Sequence, residues 1–126
     1  MASSRSVDPA ELRAAITAIS PWLSGSGAEP ARPELAAAVR LSLRTLASDA
    51  PGKSVEVRVP PFAAVQCVEG LRHTRGTPPN IVETDPRTWL ELATGRLAWA
   101  DAVESGRVTA SGTRADLDHW LPLVRL

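Results

Sequence analysis

Asp85-Pro86-Arg87-Thr88-Trp89-Leu90-Glu91-Leu92-Ala93-Thr94-Gly95 is followed by Trp99-Ala100-Asp101-Ala102-Val103 and then by Ser105-Gly106-Arg107-Val108-Thr109-Ala110-Ser111-Gly112. The fold turns on how this stretch is read. Asp85 can cap a helix, and Pro86 suits the first helical position because its missing N–H would be unpaired there anyway. Trp89, Leu92 and Ala93 recur on one face, and Gly95 is placed for a left-handed stop. Asp101 to Glu104 reads as a short helix closed by Gly106. Arg107 to Ser111 reads as a strand with Val108 and Ala110 on one face, and Gly112-Thr113 turns the chain. A last helix is expected from Asp116 to Val124, with Leu117, Trp120, Leu121 and Val124 inward. A short strand held between helices can wall an apolar cavity.

Upstream, Asp8-Pro9-Ala10-Glu11 repeats the cap-and-proline device, and Leu12, Ile16 and Ile19 follow at helical spacing. Pro21 is expected to stop that helix, and Ser24 to Pro30 reads as a flexible connection. A second helix begins near Pro33. Leu35, Val39, Leu43 and Leu46 form its stripe, and Asp49-Ala50-Pro51-Gly52 ends it. Val55, Val57 and Val59 alternate with polar residues, the mark of a half-buried strand. Pro60-Pro61 removes two ladder donors and must end or bulge it. Ala63, Val65 and Cys67 share one face of a second strand. Gly70 to Asn80 reads as loop, and Ile81-Val82-Glu83 as a short strand.

The chain has 126 residues, which suits one domain with a real core. Basic and acidic residues balance at 14 each, so there is no cationic surplus for nucleic acid or for simple docking on anionic lipid. Lys53 is the only lysine among many arginines, which fits a GC-rich bacterial gene. Cys67 is the only cysteine, so no internal disulfide forms. Neither a signal peptide nor a membrane span is legible, and the cytoplasm is the expected location.

Strands joined by tight connections, with helices gathered elsewhere, indicate an α+β fold. Asp85 to Leu123 resembles the sterol carrier protein 2 (SCP-2) superfamily. The shared signature is a helix ending in glycine at Gly95, a short helix, a small-residue–Gly turn at Ser105-Gly106, a strand, Gly112 and a closing helix. Val55 to Gly70, with Gly76-Thr77-Pro78-Pro79-Asn80-Ile81-Val82-Glu83-Thr84-Asp85-Pro86, is more narrowly similar to the compact actinobacterial branch, the "bacterial SCP" group. A related domain forms the C-terminal part of mycothiol-dependent maleylpyruvate isomerase-like enzymes. The resemblance covers about residues 33–124, which divides the chain into an N-terminal helix and linker at 1–32 and an SCP-2-like domain at 33–126. It implies a five-stranded, mostly antiparallel sheet covered by helices, with an apolar tunnel for sterols, fatty acyl chains or acyl-CoA. The Pro60-Pro61 break, the added N-terminal helix and the missing apolar C-terminal extension depart from that pattern.

On this reading an apolar ligand lies against Val65, Cys67, Trp89, Leu92, Val108, Leu117, Trp120 and Leu121. Arg72-His73-Thr74-Arg75 offers Arg72 and Arg75 as anion contacts at a cavity mouth, although a solvated connection fits the same residues. Asp118 and His119 point about 100° apart on a helix and do not form an acid–base pair. Cys67 has no base or cationic neighbour in sequence and reads as a small buried residue. Trp22, Trp89, Trp99 and Trp120 read first as core, and each buried indole then needs a partner for its N–H. Two histidines and one cysteine, widely separated, give no zinc spacing, so no metal and no cofactor is expected. The expected activity is non-catalytic binding of a lipid or other apolar molecule. The alternative is an accessory domain with a closed core. The closed-core alternative could serve as a dimerisation domain, so a homodimer is the partner expected of it.

Overall fold

The Asp8 carboxylate accepts a hydrogen bond from the Ala10 N–H at 2.9 Å, and Pro9 behind it opens the first helix, α1 (Pro9–Leu23). In this computed structural model, which describes residues 6–70 and 80–125, α1 does not stop at Pro21. The cost is one hydrogen bond, to the carbonyl of Thr17, an exposed residue whose oxygen water can reach. Leu23, two residues on, is buried and holds the last turn in place. The helix ends where Gly25 adopts φ +83° and the Ser24, Gly25 and Ser26 N–H groups turn back onto Ser20, Trp22 and Pro21.

A second helix, α2 (Arg32–Asp49), buries Leu35, Ala38, Val39, Leu43 and Leu46 along one stripe. Two strands follow, β1 (Val55–Val59) and β2 (Ala63–Cys67), paired antiparallel with Val57 opposite Val65. The turn between them holds Pro60 and Pro61. Strand β3 (Asn80–Thr84) then lies parallel to β1, with Val57 opposite Val82. Asn80, read from sequence as loop, is its first residue. The remaining elements are α3 (Pro86–Ala93), α4 (Trp99–Glu104) and β4 (Val108–Ser111), which pairs antiparallel with β3.

The fold is therefore α+β. Among the described residues the sheet has four strands in the order β2-β1-β3-β4, rather than the five that the resemblance implies. Two of its three pairings are antiparallel. One face carries Val55, Val57, Val59, Cys67, Val82 and Val108, all buried in the helix-covered core. The other carries Glu56, Arg58 and Glu83, with Arg58 paired to Glu56 at 2.9 Å. Ala110 lies at the exposed edge, unlike Val108.

No helix forms over Asp116 to Val124. A single 3-10 turn, Asp118–Trp120, is followed by extended chain. Pro122 is the reason: it has no N–H to give to a helix, and it disfavours the helical region for Leu121, whose backbone is extended at φ −112°, ψ 148°. The N–H groups of Leu123 and Val124 both donate instead to the Ala93 carbonyl at the end of α3, at 2.8 and 3.1 Å. Gly95 stops α3 at φ +81°, and a Cβ there would come within 3.0 Å of Arg125, so the glycine also makes room for the tail. Residues 1–32 are not a trailing segment throughout: Leu12, Ile16, Ile19 and Leu23 of α1 belong to the same core as the sheet.

Candidate functional site

The covered face of the sheet and the inner faces of α2 and α3 meet in one apolar cluster, and all eight residues expected to contact a ligand belong to it. They fall into two groups. Cys67, Trp89, Leu92, Val108 and Leu117 are buried in the core itself, and Val65, Trp120 and Leu121 are partly buried against it. The second group marks the boundary of the cluster, at strand β2 and at the C-terminal tail.

Trp89 sits at the centre of the first group with 1% of its surface exposed. Its indole N–H donates to the Ser42 hydroxyl at 2.8 Å. Ser42 in turn donates to the Ala38 carbonyl of its own helix at 2.7 Å. Sequence reading asked for an indole partner without finding it, because a serine breaks an apolar stripe and reads as surface. Its position between Val39 and Leu46 on the α2 stripe was the available signal. Among the described residues, no buried side-chain nitrogen or oxygen lacks a hydrogen-bond partner.

A polar network holds α3 against its neighbours. The Asp85 carboxylate caps the helix by accepting from the Thr88 N–H at 3.0 Å and the Thr88 hydroxyl at 2.7 Å. Burial pushes this carboxyl up, but the Thr88 donors, its own backbone N–H and the Arg107 guanidinium outweigh that and hold it below the usual carboxylate range. Glu91 is gripped from two sides, by Arg87 at 3.1 Å and by Arg107, the residue before β4. Arg87 also lies over the Trp22 ring at 4.8 Å and donates to the Leu23 carbonyl, tying α3 to α1. The Arg87–Glu91 spacing of one helical turn was legible in sequence; the long-range partners were not.

Cys67 lies inside the sheet face, and burial pushes its thiol up to about 11, so it stays protonated at neutral pH. His119 is exposed and meets Trp120 edge-to-face at 4.9 Å, and the Asp118 N–H is taken by Asp116. Arg72, His73 and Arg75 lie outside the described residues. Two grooves lie among the described residues. One, of about 530 Å³, runs between α1, α2 and the tail and includes Val7, Leu12, Thr45, Leu123 and Val124. The other, of about 610 Å³, lies at the end of α2 beside β2 and includes Arg44, Lys53 and Gln66. Neither is lined by any of the eight apolar residues.

The family model for bacterial SCP orthologs matches residues 31–123. The chain belongs to that family. The bacterial SCP match starts one residue before α2 and ends within the tail, so it takes in the whole sheet, α3, α4 and Trp120, and leaves α1 outside. It agrees with the SCP-2-like resemblance of the sequence. No curated protein matches the chain. Among the described residues, no helix is long and apolar enough to cross a membrane.

Proposed function

We propose that this bacterial SCP protein is a non-catalytic, cytoplasmic binder of an apolar small molecule: a lipid, a sterol or a fatty acyl group. The observation that carries the reading is the cover over the cluster. Trp120, Leu121, Leu123 and Val124 are apolar yet only partly buried. Trp120 closes a single 3-10 turn and the other three follow it without a helix, and the bonds of Leu123 and Val124 to one carbonyl, that of Ala93, fasten this segment to α3. An alkyl chain that slips beneath the segment exchanges its water for Val65, Leu117 and Trp120, at about 0.8 kcal/mol per buried CH₂. The sealed thiol of Cys67 supports a role without covalent chemistry.

Native mass spectrometry of freshly purified protein tests this reading. A stoichiometric adduct of lipid mass, displaced by added palmitate or cholesterol, is expected. Protein of bare mass that takes up neither compound after delipidation would end it.

The alternative, an accessory domain with a closed core, is favoured by a specific feature. Trp89, Leu90, Leu92 and Leu117 are sealed at or below 1% exposure. That reading expects no adduct and a stable oligomer or partner complex in solution.

A further inference from the structure

We propose that residues 120–125 form a two-position strap, closed over the apolar cluster in this structure and open when it swings into the groove of about 530 Å³ beside it. The use of this movement, letting hydrocarbon reach the cluster, rests on the apolar-ligand reading; the movement itself belongs to the ligand-free chain. The strap is pinned at one end, where Leu117 is fully buried in the core. One 3-10 turn separates that pin from the strap. The turn is held by the Trp120 N–H on the Leu117 carbonyl at 2.9 Å and by a long bond from the Leu121 N–H to the Asp118 carbonyl at 3.4 Å. Past the turn, the main-chain N–H groups reach the rest of the fold at a single atom, since the Ala93 carbonyl takes both Leu123 and Val124. Losing that one acceptor frees both at once. Arg125 lies against Gly95, in space that a Cβ would close.

The groove supplies the second position. Leu123 and Val124 already form one of its walls, with Val7 and Leu12 on the α1 side and Thr45 on α2. Apolar side chains that leave the cluster are therefore received by Val7 and Leu12 rather than by water alone, which keeps the two positions close in free energy. Charge favours the same move. Asp49, the last residue of α2, lines the groove together with Arg125 and Arg13. Among the described residues none of the three belongs to an ion pair. When Arg125 comes off Gly95 it meets the Asp49 carboxylate, an attraction that the closed position lacks. The wall built by Val7 and Leu12 precedes residue 31, where the bacterial SCP match begins, so the added N-terminal helix gives the family domain a seat for its open strap.

Hydrogen exchange on the ligand-free full chain tests the movement. The Leu123 and Val124 amides should exchange together, at one common opening equilibrium, and well ahead of the amides of α3. Thr45→Phe puts a ring into this groove and not into the other, and should slow exchange at both amides by blocking the open seat. Asp49→Arg should slow it about tenfold, since an attraction in the open position becomes a repulsion, and adding Arg125→Asp should restore the original rate. Should Thr45→Phe fail to fold, the Asp49 and Arg125 exchange of charges decides alone. Palmitate uptake, followed by stopped flow, should slow and recover in step with the amides. Independent exchange of Leu123 and Val124, exchange as slow as that of α3, or rates indifferent to Asp49→Arg would each overturn the strap. Coupled exchange with the expected variant effects but no palmitate uptake upholds the strap and ends the apolar-ligand reading instead. Palmitate uptake at an unaltered rate in Asp49→Arg does the reverse.

Discussion

Trp89 and Trp120 are the same side chain in two regions that sequence reading treated alike, and the structure separates them. Trp89 lies on α3, which has a capped start at Asp85 and a glycine stop at Gly95. Its ring is sealed, and its N–H is satisfied by Ser42 from across the core. Trp120 lies on one 3-10 turn cut short before Pro122, its ring only partly buried and its nearest aromatic neighbour the exposed His119. What buries an indole here is a persistent helix together with a partner for its one polar atom. Apolar spacing alone does not achieve it. The first region holds the fold, and the second is where the proposed ligand would act.

The contrast can be broken most directly at Trp89. Trp89→Ala should cost about 3–5 kcal/mol of unfolding free energy, the range for a large core ring replaced by a cavity. Denaturant unfolding checks this, and a loss under 1 kcal/mol would place Trp89 with Trp120. Next comes its partner. Ser42→Ala leaves the indole N–H buried and unpaired, with an expected cost of about 1–3 kcal/mol, while a Trp89→Phe background should erase most of that penalty.

Trp120→Ala sharpens the comparison from the other side. Partial burial limits its stability cost to about 1 kcal/mol. Palmitate or cholesterol uptake per folded molecule should fall well beyond that loss. If the melting temperature collapses while uptake per folded molecule holds, the two rings play the same part.

The smallest effect concerns the cap that starts the Trp89 helix. The folded Asp85 carboxyl titrates below its unfolded value, so the charged form is the stabilising one. Its contribution is complete above the unfolded carboxylate range and is lost as pH falls through the folded value. Asp85→Asn removes the charge and one of the two acceptors for Thr88, and should flatten the acid limb of stability against pH by lowering stability at neutral pH toward its acid value. Thermal melts across the acid range test it.

How much of this was legible follows the range of the interactions. The α3 cap, its apolar face, the Gly95 and Gly106 stops and the Val55–Val59 alternation are all settled within a few residues, and they read directly. Two prolines show how local signals compete. Pro21 reads as a stop, but Leu23 gains enough burial to carry α1 past it. The helical spacing of Leu117, Trp120, Leu121 and Val124 predicts a helix that runs through Pro122, yet there the proline wins because no buried residue beyond it demands a helix. The parallel neighbour of β1 and the Ser42 partner of Trp89 join residues far apart in sequence, and no local pattern records them. For the candidate site, the eight apolar residues do share one cluster, but which are sealed and which lie at its edge depended on the tail. Arg72 and Arg75 lie outside the described residues.

The position of β1 has a consequence for how the chain reaches this state. It is central in the sheet, with β2 beside it through a tight turn and β3 joining in parallel on its other flank. The β1–β2 hairpin closes over a short loop, whereas pairing β3 with β1 brings Asn80 back to Val55 and spends far more chain entropy. Assembly in time should therefore run from hairpin to β3 and then to β4, and the slow event in refolding should be the arrival of β3, which brings in the helix bearing Trp89.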